Sequence, residues 1–205
     1  MTDRFLVTGG AGFIGSHLVD RLVSEGFSVS VLDNLSTGDI RNLDQSINEI
    51  DFMQGDIRNQ ADVDAAVRDV DVVINLAALG SVPRSVADPM STHEVNATGT
   101  LRMLLASRDA GARRFIQASS SSVYGDSHVL PKVETEMGRV ASPYAASKCA
   151  AEDYCRLASD MYGLDTVRLR FFNVFGPRQK ADHVYAAVIP KFVDWALRGE
   201  TLVVH

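Results

Sequence analysis

Cysteine is nearly absent from this chain of 205 residues, with only Cys149 and Cys155 present. Six residues apart on one expected helix, they are too distant for disulfide geometry. Both are read as reduced thiols, which excludes a disulfide-stapled secreted scaffold. No apolar run approaches the roughly 20 residues needed to span a bilayer. The opening MTDRFLV enters a strand pattern at once and leaves no room for a secretory leader, so the expected location is cytoplasmic. Positive charge is also short. Lys and Arg number 20 against 26 Asp and Glu, a net charge of −6, which argues against nucleic acid or an anionic membrane as partner. The five histidines (His17, His93, His128, His183 and His205) show neither H-x-x-x-H spacing nor pairing with cysteine, and no metal site is expected. Internal repeats and low-complexity tracts are lacking. What remains is long enough to bury one sizeable core.

Glycine, by contrast, is concentrated where it matters. Residues 4–33 read RFLVTGGAGFIGSHLVDRLVSEGFSVSVLDN. An apolar run (Phe5, Leu6, Val7) leads into Gly9, Gly10, Gly12 and Gly15; a helical pattern follows in Phe13, Ile14, Leu18, Leu22 and Val23, and a second apolar run ends at Asp33. Strand, glycine turn, helix, strand and terminal acid is the order needed to hold a dinucleotide. The glycines let backbone N–H groups approach a pyrophosphate, and the helix N-terminus adds partial positive charge there. Asp33 can accept hydrogen bonds from both hydroxyls of an adenosine ribose and would repel a 2′-phosphate, so the expected cofactor is NAD rather than NADP. The spacing is G-x-x-G-x-x-G. A glycine triplet alone is a common turn; the flanking strands and an acid eighteen residues after Gly15 are what single out dinucleotide binding.

Strand and helix patterns alternate throughout. Strands are expected near 4–8, 28–32, 50–54, 70–75, 113–118 and 165–170, and helices over 13–25, 61–68, 91–110, 143–162 and 184–198. Short runs that are apolar at almost every position, such as Val70–Ile74, belong to strands covered on both faces. The expected fold class is therefore α/β, a doubly wound parallel sheet of the Rossmann type over residues 1–180, with 181–205 beginning a small C-terminal substrate domain. The polar segment 126–142 reads as a loop over the mouth of the sheet. Binding groups gather at strand ends in such sheets, which points to the segments after Ile74, Ala118 and Arg170.

Two segments carry chemistry. Tyr144 and Lys148 lie four residues apart in SPYAASK, so both project from one helix face. Pro143 suits the first turn and Ser142 the cap. A lysine ammonium beside the phenol would lower its pKa from about 10 and make Tyr144 a general base. From spacing alone, an amphipathic helix that merely carries Tyr and Lys is an equal reading. ASSSSVYG at 118–125 shifts the balance, because hydroxyls at a strand end can polarise a substrate hydroxyl and share its proton with a tyrosine.

With these segments assembled, the chain resembles the extended short-chain dehydrogenase/reductases, the family of nucleotide-sugar epimerases and dehydratases. GGAGFIG, DNLSTG, GDI, NLAAL, the serine block, YAASK and RFFNVFGPRQ occur in the family's order. Within the family, ALGSVPRS, the serine run and YAAVIPKF most resemble UDP-N-acetylglucosamine and UDP-glucose 4-epimerases. The resemblance implies that Gly9, Gly12, Phe13, Ile14 and Gly15 hold the pyrophosphate. Asp33, Asn34, Ser36, Thr37 and Gly38 would surround the adenosine ribose, with Asp56 and Ile57 at the adenine. Leu76, Ala77 and Ala78 would line the nicotinamide side, supported by Asn96 and bordered by Phe172. Tyr144 would be the base, Lys148 would also bind the nicotinamide ribose, and Ser120 would be the hydroxyl partner. Ser81, Arg84, Ser121, Ser122, Asn173, Ala187, Val188 and Lys191 would face a UDP-sugar together with Ser120 and Tyr144.

The serine run also separates activities. By the same resemblance, 4,6-dehydratases carry an Asp-Glu pair and UDP-glucuronate decarboxylases a glutamate where this chain has Ser121 and Ser122, so epimerisation is favoured over dehydration or reduction. Family members run on beyond the position of His205 and place much of the uridine diphosphate pocket there. An inactive NAD-binding fragment is therefore the alternative from another class. Val188, Ile189, Phe192, Trp195 and Val203 are expected to leave an uncovered apolar surface, and such surfaces seek a partner, in keeping with a homodimer.

Overall fold

In a computed structural model of the chain, residues 3–180 and 188–201 are described. The chain divides into two compact units, Met1–Phe172 and Asn173–His205.

The first unit is built on six parallel strands: β1 (Arg4–Thr8), β2 (Ser28–Asp33), β3 (Ile50–Gln54), β4 (Val72–Asn75), β5 (Arg114–Ser120) and β6 (Asp165–Phe171), ordered β3-β2-β1-β4-β5-β6. Side chains alternate faces along a strand, which explains why these runs are apolar at successive positions. On one face Leu6, Leu32, Val73 and Phe115 pack with Val63, Met103 and Leu104. On the other, Val7, Val29, Val31, Val72 and Ile74 pack with Val19 and Leu22. Each face has its own helices: α1 (Phe13–Ser24) covers the second, while α2 (Gln60–Ala66), α5 (Thr100–Asp109) and α6 (Pro143–Tyr162) serve the first. The doubly wound parallel sheet is as the sequence predicts.

Helical detail departs from the sequence reading in three places. Where one helix is expected over 91–110, the chain forms α4 (Pro89–His93), a π-helical turn (Glu94–Gly99) and then α5. Pro89 and the Asp88 cap, which accepts from Ser91 N at 3.0 Å, start the segment early. The wide turn carries Asn96, and Thr100 donates back to its carbonyl at 2.7 Å; such π-bulges tend to mark functional sites. A further helix, α3 (Val82–Ala87), is capped by Ser81. The serine run closes as a 3₁₀ turn over Ser121–Tyr124.

Parallel strands put every carboxyl end on one edge of the sheet. Thr8, Asp33, Gln54, Asn75, Ser120 and Phe171 are those ends, and the candidate groups gather there. In the second unit, α7 spans Val188–Leu197, with the Phe192 and Trp195 rings stacked at 5.9 Å. Val188 and Ile189 are 57% and 37% exposed; residues 184–187 of the expected helix and Val203 lie outside the described residues.

Candidate functional site

The glycine turn is shaped for a close-approaching ligand. Gly9 sits at φ +68°, a left-handed conformation that favours glycine, and its N–H bonds Leu32 O at 2.8 Å. A Cβ on Gly15 would stand 2.2 Å from Gly9 O, so no side chain fits where α1 crosses the turn. Gly12 caps α1 without a side-chain hydrogen bond, and the first turn carries no acid. The first amides of α1, around Phe13 and Ile14, therefore lack side-chain capping, an arrangement that fits a pyrophosphate.

Asp33, at the end of β2, is 7% exposed. Its carboxylate accepts from Ala11 N at 2.9 Å and Leu35 N at 2.8 Å. Burial raises its pKa, and these two amides partly offset the effect. Each carboxylate oxygen retains acceptor capacity, so Asp33 can brace the turn and still meet a ribose. Asn34 donates to Asp56 at 2.8 Å and accepts from Ser36 N at 3.0 Å. Asp56 also takes both arms of Arg58 at 3.0 and 2.7 Å, and mainly these bonds hold it well below the usual carboxylate range. Gly38 lies against Ala11, where a Cβ would be 3.0 Å from the carbonyl carbon; Thr37 adjoins it in sequence. Ile57 is 4% exposed within the core cluster, so its side chain supports this wall from behind.

Beyond β4, Leu76 N bonds Thr8 O at 3.2 Å and Ala77 N bonds the Thr8 hydroxyl at 3.2 Å. The Asn96 side chain accepts from Leu79 N at 2.8 Å and donates to Ser147 Oγ at 3.1 Å, so it ties Leu79, directly after the Leu76–Ala78 segment, to α6. Ser81 is used as the cap of α3, its Oγ accepting from Arg84 N at 3.2 Å.

The catalytic candidates meet between β5 and α6. Ser142 and Pro143 start α6 as their sequence predicts, with Ala145 N donating to Ser142 Oγ at 3.1 Å. Ser120 Oγ accepts from Ser122 N at 3.2 Å and is hydrogen-bonded to the Tyr144 phenol. The Ser122 hydroxyl is buried with no hydrogen-bond partner. Lys148 corrects one expectation. It is 3% exposed, donates to Ala118 O at 2.9 Å and lies 6.0 Å from the Tyr144 ring centroid. Burial raises the Tyr144 pKa above its ordinary value, with Ser120 opposing, so the lowering expected from Lys148 is not present in this arrangement. Desolvation lowers Lys148 itself from 10.5 to about 8.

Three residues that the sequence did not single out adjoin this group. Glu152, one turn after Lys148, accepts from Ser119 Oγ and takes two bonds from Arg170 at 2.9 and 2.8 Å. Burial pushes Glu152 up, but the Arg170 and Ser119 bonds outweigh it and the carboxyl titrates below its ordinary value. The Arg170 guanidinium also lies 4.8 Å from the Tyr124 ring centroid, and that ring is 6.0 Å from Phe172. For Glu152 and Arg170 the signal in the sequence was a charge within a helix and a strand of the sheet unit; Tyr124, at the end of the serine run, carried no such signal. Asn173, Val188 and Lys191 belong to the second unit, and Ala187 lies outside the described residues.

The family model described as "NAD dependent epimerase/dehydratase family" matches residues 5–205. The UDP-glucose 4-epimerase of Mycolicibacterium smegmatis is 42% identical over 203 residues, 97% of this chain and 64% of that protein. The structure of UDP-N-acetylglucosamine 4-epimerase from Methanobrevibacter ruminantium M1, in complex with UDP-N-acetylmuramic acid, superposes with a TM-score of 0.94 at 42% identity, covering 100% of this chain and 66% of that one. A dTDP-glucose 4,6-dehydratase from Streptomyces venezuelae, with NAD and TYD bound, gives a TM-score of 0.89 at 36% identity over 97% of this chain and 63% of that one. The chain thus spans just under two thirds of the length of these relatives.

Proposed function

Because the chain belongs to the NAD dependent epimerase/dehydratase family, with NAD as its cofactor, we propose that it provides the cofactor and proton-transfer half of a UDP-sugar 4-epimerase. Ser120 hydrogen-bonded to Tyr144 beside buried Lys148, with no carboxylate at Ser121 or Ser122, carries this reading. Gly9, Gly12 and Gly15 would admit the pyrophosphate, Asp33 to Gly38 the adenosine ribose, and Lys148 the nicotinamide ribose. When bound, NAD would supply reversible hydride transfer, so that C4 could pass through the ketone level with no net oxidation of the sugar. Tyr144 takes the C4 hydroxyl proton and gives it back, while Ser120 holds that hydroxyl in line. Ser81, Arg84, Ser121 and Ser122 would contact the sugar nucleotide. A cytoplasmic homodimer is the expected assembly. Among the described residues no helix is long and apolar enough to cross a membrane.

Dehydration and reduction are disfavoured, because removing the 6-hydroxyl needs a further acid and base that two serine hydroxyls do not supply. The test is to assay residues 1–205, and a form extended to the length of the relatives, with UDP-glucose and UDP-N-acetylglucosamine. The extended form should interconvert the C4 epimers without consuming NAD, whereas residues 1–205 should bind NAD and turn over poorly. A 4-keto-6-deoxy product would overturn the epimerase reading. Robust epimerisation by a monomer of residues 1–205 would show that nothing beyond His205 is needed.

Asp33 sets the cofactor choice. A 2′-phosphate beside this buried carboxylate would cost up to several kcal/mol, on the order expected for an uncompensated charge pair in a partly solvated site. Calorimetry should find NAD bound far more tightly than NADP, and equal affinities would refute the assignment. Asp33→Asn, which keeps an acceptor for the Ala11 or Leu35 amide, should narrow the gap chiefly by strengthening NADP.

A further inference from the structure

A chain of buried polar side chains crosses the sheet beneath the site. The Thr8 hydroxyl, next to Gly9, donates to Asn75 Oδ1 at 2.6 Å. Asn75 Nδ2 donates to Thr100 Oγ1 at 3.1 Å and to Gln117 Oε1 at 2.8 Å. Gln117 Nε2 donates to Ala118 O at 3.0 Å, the carbonyl that also accepts from Lys148 Nζ at 2.9 Å. Thr8, Asn75, Thr100 and Gln117 are all within 1% of complete burial. Thr8, Asn75 and Gln117 stand on β1, β4 and β5, among the apolar side chains of the sheet, and Thr100 begins α5. Apolar residues would serve packing as well, and a buried amide is tolerated only when its hydrogen bonds are made.

Gln117 fixes more than its own place. The amide plane is held at one end by Asn75, so its Nε2 approaches Ala118 O from a set direction and occupies one of that oxygen's two lone pairs. Lys148 is left the other. Among the described residues Ala118 O is the hydrogen-bond partner of the Lys148 ammonium, which shares that oxygen with Gln117.

We propose that Gln117, held by Asn75, is a positioning residue for cofactor binding: it orients the Ala118 carbonyl so that Lys148 Nζ is presented to the nicotinamide ribose. This rests on the assignment of Lys148 to that ribose. It links the end of β1, where the pyrophosphate turn begins, to the lysine on α6, and it uses residues that no part of the glycine or Tyr-Lys pattern contains.

A double-substitution cycle on the 205-residue chain tests it, with NAD and ADP affinities measured by calorimetry. ADP lacks the nicotinamide ribose and so reports whether the rest of the site is intact. Gln117→Met removes the amide at similar volume and should weaken NAD by about 3- to 10-fold, the range of one hydrogen bond, while changing ADP affinity less than about 2-fold. Lys148→Met should weaken NAD as well. In the Lys148→Met background Gln117→Met should then have no further effect on NAD, because its influence passes through the lysine. Gln117→Glu keeps an acceptor for Asn75 and carries the same test if Gln117→Met fails to bind ADP.

The outcomes separate the two claims. Should Lys148→Met leave NAD affinity unchanged, the lysine assignment fails and this proposal with it. Lys148→Met weakening NAD while the Gln117 effect is additive, absent, or equal on ADP would overturn the positioning role alone. A purely structural Gln117 would lower the melting temperature without that lysine-dependent coupling.

Discussion

Replacing Tyr144 with phenylalanine is expected to cut turnover of UDP-sugar by on the order of 10²–10⁴, the usual share of general acid–base catalysis, while NAD stays bound with unchanged affinity. The ring and its packing are kept; only the hydroxyl that meets Ser120 is lost. The experiment belongs on the form extended to the length of the relatives. Burial raises the phenol pKa, so the proton acceptor is scarce at neutral pH and kcat/KM should climb as pH rises toward the phenol's pKa. Tyr144→Phe should abolish that climb. Wild-type turnover in the variant, or a profile that falls over the same range, would remove Tyr144 from the proton-transfer role.

Lys148 offers the largest expected effect on stability. Its folded pKa is about 8 against an ordinary 10.5, because the ammonium is desolvated and has a single carbonyl, Ala118 O, as its described hydrogen-bond partner. The sign follows from proton counts. Between about pH 8 and 10.5 the unfolded chain binds the proton and the folded chain does not, so this residue's contribution to stability rises with pH across that window. Below pH 8 both states are protonated and the full penalty, roughly 3 kcal/mol at most, is present. Lys148→Met should therefore stabilise the chain at pH 7 by about 1–3 kcal/mol, after allowing for the lost hydrogen bond. That gain should shrink steadily from pH 8 to 10.5. Denaturant titrations of both proteins across pH check this, and a gain independent of pH would show that the lysine is not desolvated. The same substitution should weaken NAD, so stability and cofactor binding oppose each other at one residue.

Local features are legible in the amino-acid sequence itself. The glycine turn, the acid at the end of β2 and the Ser142–Pro143 start of α6 depend on residues a few positions apart, and their stereochemistry leaves few alternatives. Runs apolar on successive positions likewise require a sheet covered on both faces, and Leu6 against Val7 shows why: neighbours in sequence pack into opposite layers. Short helices such as α3 escape a reading of periodicity because six residues give a helical period little room. The break in the 91–110 helix comes from Asn96, whose partners Leu79 and Ser147 lie 17 and 51 residues away.

Chemistry at the site divides in the same way. Residue types and spacing name Tyr144 and Lys148, and the family resemblance picks Ser120 from the serine run, but spacing cannot say where an ammonium on a flexible stem will point. Tertiary structure turns Lys148 to the Ala118 carbonyl, 30 residues distant, and puts Gln117 on the same oxygen with Asn75, 42 residues away, behind it. Sequence determines which groups are available and which face of an element bears them. Only the folded chain decides which buried donors share an acceptor, because that depends on strand order and register, and these place side chains from distant segments within about 3 Å of one another, the reach of a hydrogen bond.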